Sequence, residues 1–203
     1  YVVILTLSIP NISFAQDPAL TGIETTALHY NEGQVPVIIS NTIIASDADS
    51  PFLSSATIQI SGNYSGTEDQ LQFTNAFSIT AAYDALTGTL TLTGPASPAD
   101  FTSALRSVTY QNLNDSNPSN LSRTLSFSIN DGSFNSLIVT RDIQVNRIND
   151  APTGQPDSFV MYEDTELDCG CLLLNDSDPD GDNLVAYHDQ PPSNGIVTDL
   201  GGF

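Results

Sequence analysis

The sequence predicts an all-β chain, with one β-sandwich followed by the incomplete start of a second. Three observations carry this. Thr, Val and Ile are abundant and are punctuated by 13 Gly and 12 Pro, the composition of strands and tight turns. Short segments alternate apolar and polar residues, which places one strand face in a core. Strands of this kind recur roughly every 8–12 residues, as they do in sandwiches.

The N-terminal segment reads as a truncated secretory signal over residues 1–15. Val2 to Ile9 is apolar, Pro10 follows, and Ser13 and Ala15 are the small residues a signal peptidase selects, with cleavage after Ala15. A buried first strand is the competing reading. The stretch is too short to span a membrane. Residues 16–26 then form an N-terminal spacer.

Residues 27–146 read as the sandwich. Gln34 to Ile39 and Thr42 to Ala45 are short strands. Thr57 to Ile60, Thr89 to Thr93 and Thr124 to Ile129 alternate, so that Leu125, Phe127 and Ile129 share a buried face. Leu137 to Val139 and Asp142 to Val145 form a final long strand. Asn130-Asp131-Gly132 before it is a hairpin turn. One segment departs from β structure. Ser97 stands before Pro98, and Phe101 and Leu105 are four apart, predicting one or two helical turns that plug the core. Arg106 after it reads as a structural cap or a surface ion pair rather than a ligand-binding group.

The charge balance is one-sided. Four Arg, no Lys and 24 acidic residues give a net charge of −20, and from Asp150 onward 12 acids stand with no Arg or Lys. Phosphate backbones and anionic membranes need cationic partners, so neither nucleic acid nor such a membrane fits. Acidity of this degree suits solubility or cation binding. No nucleophile, base and orienting group stand in a catalytic pattern, and His29 and His188 are isolated. The chain therefore reads as non-enzymatic.

Residues 147–156 form a linker stiffened by Pro152 and Pro156. A second, partial unit runs over 157–203, with Leu172 to Leu174 as a strand. After it come Asp176, Asp178, Asp180 and Asp182 at every second position, turned by Pro179 and Gly181. Like charges about 6 Å apart repel by roughly 1–3 kcal/mol. Such a run stays loose and hydrated, or a hard cation neutralises it, and calcium takes six to eight oxygens from donors of this type. It is not an EF-hand loop, because the twelfth residue from Asp176 is Tyr187 rather than Glu. Cys169 and Cys171 stand too close for an unstrained bond, and a disulfide between them is strained or absent.

The two units echo one another. Tyr30-Asn31-Glu32-Gly33, an apolar strand and Ser46-Asp47-Ala48-Asp49 match Tyr162-Glu163-Asp164, Leu172 to Leu174 and the Asp run. With Ala104 to Tyr110, Ile129-Asn130-Asp131-Gly132 and Asn149-Asp150-Ala151-Pro152, the first unit resembles the tandem cadherin-like repeats of large secreted or surface adhesins. Glu163-Asp164-Thr165, the Asp run and Asn194 to Val197 resemble a bacterial immunoglobulin-like repeat. The resemblance implies an immunoglobulin/cadherin-like sandwich and calcium at the junction of two units. Glu32, Asn149, Asp150, Asp178 and Asp180 would be ligands there, with Asp176 and Asp182 joining them or setting the local field. It also implies that Asp47, Asp49 and Asp131 meet at the opposite tip, completed by Asp17 or Glu24. Ordinary turn formation is the other reading of Asp131. The cadherin linker's earlier Asp is replaced here by Asn146, which lowers the junction's charge.

The function this implies is a calcium-stiffened stalk for cell adhesion, secreted or at the cell surface. Its partners are neighbouring repeats of the same chain and a cell-surface protein or glycan. The alternative is an accessory sandwich of a larger secreted enzyme; a carbohydrate site on the sandwich would use Tyr64, Tyr83 and Tyr110, which read equally well as core residues.

Overall fold

The computed structural model describes residues 15–170, 172–187, 190 and 193–198. The expected signal core, Cys171 and His188 lie outside them. Among the described residues there are eleven strands and one helix in the order β1 (Ala19–Thr21), β2 (Leu28–Asn31), β3 (Val37–Ile38), β4 (Ile44–Ser46), β5 (Leu53–Gly62), β6 (Asp69–Gln72), β7 (Thr80–Asp84), β8 (Thr89–Ala96), α1 (Pro98–Leu105), β9 (Thr109–Asn112), β10 (Arg123–Asn130) and β11 (Val139–Asn146).

The alternating segments build the main sheet, whose order is β2-β11-β10-β5-β8-β7. On its inner face Phe127 stands opposite Ile58 and Leu125 opposite Ile60. Ile58 and Ala56 stand opposite Leu90 and Leu92 on the next strand. All are buried, and they join Ile39, Leu71, Val108 and Tyr110, from or beside the β3-β9-β6 sheet, in one core. Tyr30 and Tyr110 meet edge to face at 5.3 Å within it. The chain is an all-β, immunoglobulin-like sandwich, as its residue pattern predicts.

The helix forms where expected. The Ser97 hydroxyl accepts the Asp100 N–H at 3.1 Å, Pro98 opens the first turn, and Phe101, Ala104 and Leu105 are buried. Arg106 then caps structure across the chain, donating from Nε to Ile43 O at 2.9 Å and from Nη2 to Thr42 O at 3.2 Å.

Residues 16–26 are more than a spacer, since β1 lies within them and pairs antiparallel with β4. The close approach depends on Gly22, which has φ +71° and where a Cβ would lie 2.6 Å from Thr42 O.

Two features position the junction. Strand β2 runs parallel to β11, with Tyr30 beside Val145 and Asn31 beside Asn146. That register delivers Glu32, the residue after β2, to the start of the linker. The second feature is a buried ion cluster. Arg123 is fully buried and donates from Nε to Asp69 Oδ1 at 3.0 Å and from Nη2 to Glu68 Oε2 at 2.8 Å. It also donates from Nη1 to Leu121 O at 2.7 Å and to Ser119 O. Glu68 accepts the Ser119 N–H at 3.1 Å and an Asn114 Nδ2 proton at 3.4 Å. The loop 113–122 is thereby tied to the sandwich from inside.

From residue 147 onward the regular structure among the described residues is one isolated bridge, Thr153 to Ser177. The strand expected at Leu172 to Leu174 is a turn, and Leu174 is 85% exposed. A strand needs a ladder partner and a covered face, and this segment has neither among the described residues.

Candidate metal centre

The Asp run folds around its own second member. Asp178 Oδ1 accepts the N–H groups of Asp180 at 2.9 Å and Asp182 at 3.2 Å, and Gly181 N–H closes a turn onto Asp178 O at 3.1 Å. Gly181 has φ +78°, the left-handed conformation glycine adopts without strain. Thr153 and Ser177 exchange two backbone hydrogen bonds of 2.7 and 3.1 Å, and Asp176 Oδ1 accepts the Gln155 N–H at 2.7 Å. Linker and run therefore lie side by side. An open cleft of about 400 Å³ between them is lined by Asn149, Thr153, Asp176, Asp178 and Asp182.

The run also touches the first unit. Asp180 Oδ2 accepts the Asp150 N–H at 2.6 Å, and Asp180 O accepts an Asn117 Nδ2 proton at 3.3 Å. Arg147 Nε donates to Pro118 O at 2.6 Å. Glu32 Oε2 accepts the Ile148 N–H at 2.8 Å. Asn149 turns its amide to Asp150 O at 2.9 Å. Glu32, Asp150 and Asp180, which the sequence groups together, are thus joined through the linker backbone. Asn117, which the sequence reading passes over, stands beside them.

Two oxygens here are anomalous. Glu32 is only 8% exposed, and its Oε1 is buried with no hydrogen-bond partner among the described residues. Asn117 Oδ1 is likewise buried without a partner. A carboxylate oxygen in this position carries a desolvation cost unless something positive meets it. Among the described residues no three Asp, Glu, His or Cys side chains gather closely enough to hold an ion by themselves. The available donors are mixed, comprising carboxylate, amide and backbone carbonyl oxygens. Calcium accepts such oxygen sets and fills the remaining positions with water, whereas zinc asks for nitrogen and sulfur. The donor chemistry and the orphaned Glu32 oxygen fit calcium.

The opposite tip is organised locally. Asp131 Oδ1 accepts the Ser133 and Phe134 N–H groups at 2.6 and 2.7 Å, and these bonds hold its carboxyl below the ordinary value. Asp47 Oδ1 accepts the Asp49 and Ser50 N–H groups at 3.0 and 2.8 Å, which leaves its Oδ2 buried and unpartnered. Asp49 receives the Gln16 N–H. Glu24 is engaged elsewhere, with Ser40, Asn41 and Arg141.

Burial works to raise the Glu24 carboxyl. The hydrogen bonds from Ser40 and Asn41 and the Arg141 charge outweigh it and bring it from an ordinary 4.5 to about 2. A lowered folded-state value means this pairing stabilises fully above pH 4.5 and is lost as pH falls toward 2. Glu24→Gln should therefore lower the melting temperature at neutral pH, with the gap to the parent closing by about pH 2 in an acid titration of stability.

The three tyrosines do not form an open platform. Tyr110 is fully buried and donates to Asp69 Oδ1 at 2.6 Å. Tyr64 and Tyr83 pack against the core, and their hydroxyls bond Ala85 O at 2.6 Å and Asp69 O at 3.0 Å. Cys169 is exposed. Among the described residues no helix is long and apolar enough to cross a membrane.

The fold is that of an immunoglobulin-like β-sandwich. Comparison by family agrees for the C-terminal unit, since residues 149–202 match the model described as Bacterial Ig domain. The match covers the linker from Asn149, the Asp run and the segment beyond. Domains of this family are generally non-enzymatic and typical of extracellular and surface proteins. No curated protein matches the chain.

Proposed function

We propose that the chain is a non-enzymatic, calcium-binding repeat module of a secreted or cell-surface adhesin, serving as a stiffened stalk for cell adhesion. The observation that carries this reading is Glu32. It is nearly buried, one oxygen holds the linker backbone at Ile148, and the other has no partner. The Bacterial Ig match supports the repeat architecture.

Glu32, Asn149, Asp150, Asp178 and Asp180 would hold the ion. Calcium would supply charge neutralisation between two units that repel, the second of which carries no Arg or Lys. The chain's own residues do the positioning. The β2–β11 register sets Glu32, the Asp150–Asp180 bond aligns the run with the linker, and the Thr153–Ser177 bridge keeps the two together. Adhesion itself would involve neighbouring repeats and a cell-surface protein or glycan.

The expected energetics are modest. For extracellular-type dissociation constants of about 10⁻⁴–10⁻³ M at millimolar calcium, each site adds roughly 0.4–1.4 kcal/mol to the docked state. Along many repeats this turns a flexible string into a rod. The full chain should melt a few degrees higher in calcium than in chelator, and its small-angle scattering should report a longer, narrower particle. Identical melting curves would remove calcium from the account.

A further inference from the structure

We infer that Asn117 is a cation-binding residue of the junction, and that the buried Glu68–Arg123 pair is the device that presents it. This deepens the calcium reading above and rests on it. The run of acids alone would not support such an assignment. The nearly buried, unpartnered Glu32 oxygen beside the same linker, and a second orphan in Asn117 itself, do.

The orientation of Asn117 is settled by chemistry. Its neighbour Asp180 O can only accept, so the amide nitrogen must face it, and it does, at 3.3 Å. The amide oxygen is then turned away into a buried position with nothing to accept from. A buried amide oxygen without a protein donor is met by an ordered water or by a hard cation, and the acids beside this one favour the cation. Asn117 lies in the same chain of contacts as Glu32. Pro118 O takes the Arg147 guanidinium, the next residue, Ile148, gives its N–H to Glu32, and Asp150 gives its N–H to Asp180.

The loop does not hold this position by chance. Asn114 Oδ1 accepts the Asn117 N–H at 3.1 Å, and Asn114 Nδ2 donates to Asn117 O at 2.9 Å. Asn114 and Ser119 are in turn bound by Glu68, and Ser119 and Leu121 by the fully buried Arg123. The ion cluster thus reaches the junction through four residues of one loop.

Calcium titration of the full chain, followed by calorimetry and by terbium luminescence, separates the roles of Asn117. Asn117→Ala should weaken calcium binding about five- to tenfold, and Asn117→Asp, which keeps the oxygen and adds charge, should match or exceed the parent. Melting in chelator should be unchanged to within a degree or two in Asn117→Ala, which gives up one 3.3 Å hydrogen bond to Asp180 O, and lower in Asn117→Asp, which sets a carboxylate against that carbonyl until calcium is added. If Asn117 merely docks Asp180 through its amide hydrogen, Asp at 117 binds calcium more weakly than Ala does, and the inference is overturned. Equal affinity of parent and Asn117→Ala overturns it as well. No calcium uptake by the parent would instead overturn the calcium reading itself.

Discussion

Arg123→Ala destabilises the first unit by about 3–5 kcal/mol, because it strands a buried negative charge. The Arg123 side chain is fully buried between Asp69, itself 3% exposed, and Glu68. Its removal leaves Asp69 with Tyr110 and Asn112 as side-chain donors and takes the inner anchor from Ser119 and Leu121. Lysine does not rescue the site, since one ammonium cannot reproduce a planar fork reaching two carboxylates and two carbonyls. Urea denaturation should show the midpoint falling with little change in slope, and the melting temperature should drop by about 10–20 °C. A loss below about 1 kcal/mol would mean that the cluster is solvated rather than buried.

The second large effect falls on the metal. Glu32→Gln weakens calcium binding by at least about tenfold, or 1.4 kcal/mol. The substitution is nearly isosteric. Its amide oxygen still accepts the Ile148 N–H now held at 2.8 Å, while an NH₂ replaces the oxygen that has no partner. The folded state in chelator should be unharmed or slightly more stable, because a buried charge is gone. Loss of calcium affinity with retained stability assigns Glu32 to the ion. Loss of both would make it a structural residue of the linker.

Much of the sandwich is legible in the sequence because its strands bury one face and wet the other. The alternation in Thr57 to Ile60, Thr89 to Thr93 and Thr124 to Ile129 becomes β5, β8 and β10, and the capped Pro98 segment becomes α1. Strand β6 is hidden because its inward positions are Asp69 and Leu71. A buried Asp reads as surface until its partner Arg123, 54 residues away, is seen. Strand β1 is three residues long, too short to carry a pattern. Leu172 to Leu174 misleads in the other direction, since an apolar run does not pair without a neighbour.

The junction is half legible. Glu32, Asp150 and Asp180 stand out by spacing and charge, and the fold brings them to one linker. Asn117 carries no such signal. Only the contact with Asp180, 63 positions on, marks it out. At the tip, the Asp131 side chain is occupied by its own turn, while Asp47 keeps one buried oxygen that finds no partner among the described residues.

Calorimetric titration of calcium into the full chain tests the account most directly. Saturable uptake is expected, with a dissociation constant of about 10⁻⁴–10⁻³ M, the range of extracellular modules, weakened in Glu32→Gln. Heats no larger than dilution across that range, with Glu32→Gln indistinguishable from the parent, would contradict it.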